Sequence, residues 1–97
     1  MKPGADGIKP TRKMRRVLLV LLTGAPRLSG YPIAHAAAVG PGSIYPELAR
    51  LERAGWVASK WEDGPARPNS GRRRFYQLTR YGRAQALKLL GLENGHV

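Results

Sequence analysis

Cysteine is absent from the chain, which removes disulfides and thiolate-held metals together and suits a reducing compartment. Histidine is scarce: His35 stands among alanines and His96 lies near the end, so no metal site is expected. No long apolar run exists either. The longest, Val17 to Leu22, has six residues, against the roughly 20 that cross a bilayer, and no cleavage site of a secretory signal follows it. Catalytic groupings are also missing: no nucleophile stands beside a base, and the adjacent acids Glu62 and Asp63 point to opposite faces of a strand. The expectation is a cytoplasmic protein that is not an enzyme and uses no cofactor.

Acidic residues are few. Six Asp and Glu face seventeen Lys and Arg, giving a net charge of +11 and a pI near 11.2. Solubility needs only about 2–8 charges on a small domain, so the excess favours a polyanionic partner. An anionic membrane fits less well, because no helix has a broad hydrophobic face left over for it.

What is present suffices for one domain: 97 residues, 42% of them apolar. Residues 1–10 are rich in Gly, Pro and Lys and read as a flexible basic arm. The domain proper spans 11–92, and 93–97 form a tail. Thr11 caps a first helix running to about Thr23, with Met14, Val17, Leu18 and Leu21 on its inner face. Arg12, Lys13, Arg15 and Arg16 crowd its first turns against the helix dipole, so those charges serve something other than helix stability. Ser29 caps a second helix, Gly30 to Val39, with Pro32 in its first turn and Tyr31, Ile33, Ala34 and Ala37 inward. After Gly40-Pro41-Gly42 a third helix follows, ended by Gly55. Two short helices joined by a glycine-containing turn match a helix-turn-helix.

The third helix carries the functional signal. At 100° per residue, Ile44, Leu48 and Leu51 share one face, while Pro46, Ala49, Arg50 and Arg53 lie opposite, flanked by Ser43 and Tyr45. Pro46 is acceptable if the helix begins at Gly42 or Ser43, where its missing N–H has no intrahelical partner anyway. VASKWED, Val57 to Asp63, alternates as a strand; GPARPNSG, Gly64 to Gly71, is a loop; RRRFYQL, Arg72 to Leu78, is a second strand. On that alternation Arg73 shares a face with Phe75, and Arg72 and Arg74 share the other with Tyr76. Trp56 belongs in the core beneath the hairpin; Trp61 fits a core edge, a dimer contact or an exposed stacking surface. His35 reads as surface. Thr79 caps a last helix, Arg80 to about Leu92, with Tyr81, Ala84, Leu87 and Leu89 or Leu90 inward.

The fold expected is therefore mostly α with a two-stranded β-hairpin, a winged helix-turn-helix. In that arrangement the third helix enters a major groove of double-stranded DNA and the hairpin reaches phosphates or the adjacent minor groove. Candidate DNA-binding residues are Ser43, Tyr45, Pro46, Arg50 and Arg53 on the helix and Arg67, Arg72, Arg73 and Arg74 on the wing. Ser43 and Tyr45 suit phosphate, Pro46 a thymine methyl, Arg50 a guanine or a phosphate, and Arg53 phosphate. Arg67, between Pro65 and Pro68, is a candidate minor-groove probe, the alternative being a disordered tip.

Three stretches in order resemble the PadR family of bacterial transcriptional regulators, across about Met14 to Leu90: LSGYPI (Leu28 to Ile33), GSIYPELARLERAGWV (Gly42 to Val57) and FYQLTRYGR (Phe75 to Arg83). The resemblance implies a repressor that binds operator DNA, with Ser43, Tyr45 and Pro46 on the contacting helix. Family members generally continue into a C-terminal helical region that builds the dimer; here 18 residues follow Thr79. A homodimer through the first and last helices, a weak one, or none fits that length, and a small-molecule effector is doubtful. A basic winged helix bound to RNA or ribosome, a nonspecific architectural DNA binder and a protein-interaction module are the competing readings.

Overall fold

The computed structural model describes residues 7–24, 27–63 and 73–92. Most of the expected arm, the hairpin tip with Arg67 and Arg72, and the tail lie outside the described residues. Chain order is α1 (Arg12–Thr23), β1 (Leu28–Ser29), α2 (Gly30–Ala37), α3 (Pro41–Arg53), β2 (Val57–Trp61), β3 (Arg74–Leu78) and α4 (Arg80–Leu90).

α1 begins where its cap requires: the Thr11 hydroxyl accepts the Met14 N–H at 3.0 Å. Met14, Val17, Leu18 and Leu21 are buried as their spacing dictates. The arginines crowding this end are partly consumed at the ends of other helices. Arg16 Nε donates to the Ala37 carbonyl at 2.8 Å, and Arg15 Nη1 to the Leu89 carbonyl at 3.4 Å. Charge that opposes one macrodipole thus complements the C-terminal ends of α2 and α4.

α2 stops at Ala37 rather than Val39, because Ala38 turns left-handed (φ 56°, ψ 45°) and Val39 N–H reaches back to the Ala34 carbonyl at 2.9 Å. Ile33, Ala34 and Ala37 are buried, but Tyr31 is 69% exposed and stacks loosely on His35, with ring centroids 6.4 Å apart. The expected inward tyrosine is corrected: position 31 lies on the first turn, beyond the edge of the face set by Ile33 and Ala37.

α3 starts at Pro41, capped by Gly40, whose carbonyl accepts from Ser43 and Ile44. Pro46 is therefore the sixth helical residue, not one of the first-turn positions that lack partners. The Gly42 carbonyl forgoes its i+4 donor, a loss tolerated because Pro46 lies on the solvent side. The helix closes on Gly55 at φ +80°, with Trp56 N–H bonded to the Leu51 carbonyl at 2.9 Å.

β2 and β3 form the expected antiparallel hairpin, from Val57 opposite Leu78 to Trp61 opposite Arg74. β1 adds a short third strand that the sequence reading lacks, in the order β1-β3-β2 with Leu28 opposite Tyr76. α4 is seated by Thr79. Its backbone N–H donates to the Trp56 carbonyl at 2.9 Å, its hydroxyl donates to the Gly55 carbonyl at 2.7 Å, and its Oγ1 accepts from Gly82 N–H at 2.9 Å. The inward face expected for α4 holds at Leu89 and Leu90, which pack half-buried against the core, but not in the first turns, where Gly82 and Ala86 are buried and Tyr81 and Ala84 exposed. The smallest residues make the contact because α4 lies directly against the α3–β2 turn.

The core gathers Val17, Leu18, Ile33, Ile44, Leu48, Leu51 and Trp56, all almost fully buried. Each such side chain contributes about 1.5–3 kcal/mol of transfer free energy. Ile8 joins it at 3% exposure, so the end of the segment read as a flexible arm is docked against the helices. Among the described residues no helix is long and apolar enough to cross a membrane.

Candidate nucleic-acid interface

Burial of Ile44, Leu48 and Leu51 turns the opposite strip of α3 outward. Gly42, Pro46, Arg50 and Arg53 are exposed, Ser43 and Ala49 half-buried, and a side chain built on Gly42 would meet nothing within 4 Å. The strip is small at its N-terminal end and cationic at its C-terminal end.

Tyr45, 52% exposed, borders this strip and also joins the two helices of the motif. A Cβ on Gly30 would lie 2.6 Å from the Tyr45 hydroxyl oxygen, so the phenol end occupies the space that glycine leaves at the start of α2. Arg50 leans the other way. Its Nη1 pairs with Glu47 Oε2 at 3.0 Å, and both line a shallow pocket with Gly7, Ile8, Lys9, Thr11 and Met14. Glu47 itself is only 8% exposed, a buried acid that the sequence reading did not single out.

The hairpin lies on the side of Tyr45. One depression of about 400 Å³ is lined by Ser29, Tyr31, Tyr45, Trp61, Arg73, Arg74 and Tyr76, and an adjoining one by Tyr45, Ala49, Glu52, Arg53, Arg74 and Tyr76. Ala49 and Arg53 of the α3 strip therefore share one cleft with Arg74 of β3, while Arg73 borders the other beside Tyr45. Arg73 is exposed, its backbone N–H donating to Glu62 Oε1 at 3.2 Å. Arg74 is engaged inside the chain: Nη2 lies 3.3 Å from both Glu52 carboxylate oxygens, and Nε donates to Ser59 Oγ at 2.9 Å. Its guanidinium also lies over Trp61 at 5.4 Å and Tyr76 at 5.9 Å. Burial pushes the Tyr76 phenol above its ordinary value of 10.0, with Arg74 pulling the other way.

Sequence reasoning missed Arg27, which covers Phe75 at 5.6 Å on the far face of the sheet; of the three places open to Trp61, its 54% exposure fits the exposed surface. Phe75 opposite Ser29 in the register was the available signal for Arg27, had β1 been recognised. Among the described residues no group of three or more His, Asp or Glu could hold a metal ion.

A helix-turn-helix with an open cationic strip on its second helix, followed by a hairpin that shares a cleft with it, defines a winged helix-turn-helix protein. The model of the transcriptional regulator PadR-like family matches residues 19–88, and the chain belongs to that family. A PadR family transcriptional regulator from Eggerthella lenta is similar at 27% identity over 82% of this chain and 72% of its own, with a TM-score of 0.66. A protein from Ralstonia eutropha JMP134 is similar at 28% identity, with 86% of this chain and 98% of its own covered and a TM-score of 0.61. Bacillus subtilis PadR, solved in complex with operator DNA, shares the fold at 24% identity over 79% of this chain, with a TM-score of 0.65. The chain spans about half of that PadR and of a further solved regulator, 45% and 55% of their lengths. No curated protein sequence matches it.

Proposed function

We propose that this chain is a sequence-specific double-stranded DNA-binding regulator of transcription, acting as a repressor and without catalytic activity. α3 lies in the major groove and the β2–β3 hairpin serves as the wing. One observation carries this: the strip of α3 opposite Leu48 is exposed, small and cationic, and it shares a cleft with Arg74 and Tyr76 of the hairpin. Gly42 and Pro46 let the backbone approach base edges. Ser43, Tyr45 and Arg53 reach phosphate. Arg50 reads a guanine or a phosphate after leaving Glu47. Arg73, together with Arg67 and Arg72 in the 64–72 segment, contacts phosphate or the minor groove along the wing.

A homodimer through the first and last helices would cover the exposed Leu19 of α1 and Leu92 just beyond α4. Selection of sites from a random duplex library is the test. The expected product is a palindrome with half-sites about 10 bp apart or a multiple of it, bound about 10³–10⁷ times more tightly than bulk DNA. Recovery of no preferred sequence would sink the regulator and leave an architectural binder. The exposed rings of Tyr31 and Trp61 favour one second reading, stacking on unpaired RNA bases. Displacement of the labelled duplex by RNA as readily as by random DNA would support it.

A further inference from the structure

Arg74 is the residue whose placement departs most from a phosphate-binding role. It is held by a charged partner on α3 and a hydroxyl on β2, and it lies over rings on β2 and β3. Ser59 completes the arrangement by donating to Glu52 Oε2 at 2.6 Å while accepting from Arg74 Nε. Glu52, Ser59 and Arg74 thus form a closed triangle joining α3 to both strands of the wing. Its charged corners are only partly withdrawn from water, with 40% of the Arg74 side chain and 35% of the Glu52 side chain exposed. They line the cleft that also holds Tyr45, Ala49 and Arg53. The acid therefore sits where a phosphate would approach, and it occupies the arginine that would otherwise meet it.

Building on the DNA-binding reading, we propose that Glu52 is a specificity-determining residue: it withholds Arg74 from phosphate and fixes the wing against α3. Two consequences follow from charge and geometry alone. A carboxylate facing the duplex lowers affinity for every DNA sequence alike. A guanidinium shared between Glu52 and Ser59 holds β3 at one distance from α3, so that base contacts by α3 and wing contacts are made together or not at all. Glu52 therefore weakens binding to bulk DNA and sharpens the choice among sites.

The experiment measures binding of the full chain to a labelled random-sequence duplex across a salt series, which requires no known operator. Glu52→Gln keeps the size and an acceptor but removes the charge. It should free Arg74 for one phosphate, steepening the log–log salt slope by about 0.9 and deepening the loss of affinity between about 50 and 200 mM salt by about 3.5-fold. Arg74→Gln in the native background should leave the slope as it was, and the double variant should match native protein. On duplexes from the site selection, Glu52→Gln should bind random DNA more tightly and discriminate less. An unchanged slope for Glu52→Gln, or a slope flattened by about 0.9 in Arg74→Gln, overturns the proposal while leaving DNA binding intact. Absence of binding by native protein at low salt removes the DNA reading as well. Should Glu52→Gln fail to fold, Arg74→Gln alone decides.

Discussion

Gly82→Ala is the sharpest test of how α4 is seated. An ideal Cβ at position 82 would lie 1.9 Å from the Trp56 carbonyl oxygen and 2.5 Å from its carbonyl carbon and Cα. All three are backbone atoms, so no rotamer relieves the clash. Reaching an ordinary contact near 3.4 Å requires a retreat of 3.4 − 1.9 = 1.5 Å. The Trp56 carbonyl cannot supply it, being bonded to Thr79 N–H and attached to a ring buried in the core. If α4 retreats instead, the Gly82–Thr79 cap lengthens and Ala86 loses its contacts. Overpacking of this kind costs about 1–3 kcal/mol, here at the upper end, and a lost cap about 1 kcal/mol. Alanine's helix propensity returns about 1 kcal/mol. The net is a destabilisation of about 3 kcal/mol, which for a domain of this size lowers Tm by about 12–24 °C at roughly 4–8 °C per kcal/mol. Circular dichroism melts of native protein and variant measure it directly. Gly42→Ala, with nothing within 4 Å, is the control that should not destabilise. A Gly82→Ala protein melting at or above the native temperature would show that α4 does not rest on the Trp56 carbonyl.

Pro46→Ala restores an N–H opposite the Gly42 carbonyl and should raise stability by about 1–3 kcal/mol; urea denaturation checks this, and a lower midpoint would contradict the helix start at Pro41. Arg53→Ala should flatten the salt slope on random DNA by about 0.9 without changing site preference. Arg50→Ala should cost roughly 1–3 kcal/mol and relax discrimination at one base pair if Arg50 reads a base; a uniform loss in binding measurements across sequences would make it a phosphate contact. Tyr76 has a raised folded pKa. Its neutral-phenol contribution is thus fully present below the ordinary value of 10.0 and is lost as pH rises through the higher folded value. Ultraviolet titration should show one of the four tyrosines ionising late, and Tyr76→Phe should remove that late step.

Large residues at regular spacing made α1 and α3 legible: Met14, Val17, Leu18 and Leu21 in one, Ile44, Leu48 and Leu51 in the other. Where the contact is made by small residues the pattern misleads. α4 packs through Gly82 and Ala86, which carry little hydrophobic signal, so its first turns were phased on Tyr81 and Ala84, which face water. β1 is two residues long and exists only because β3 presents an edge to it, a relation no local window contains. Outward residues of α3 could be identified, but not what their neighbours do to them. Glu47 is three residues from Arg50 and could have been paired on a helix surface. Glu52 and Arg74 are 22 positions apart and meet only after the hairpin folds back. Pro46 showed the opposite error, since its place in the helix depended on a start at Pro41 that glycines on either side obscured.

The phenol resting over Gly30 constrains how such a protein could be retargeted. Pro46 is exposed and can be exchanged by a single substitution. Tyr45 is different: a shorter residue leaves a gap above Gly30, and any side chain added at position 30 evicts the ring. Those two sites must therefore drift as a pair, and libraries that vary α3 will recover more folded members if they vary both codons together.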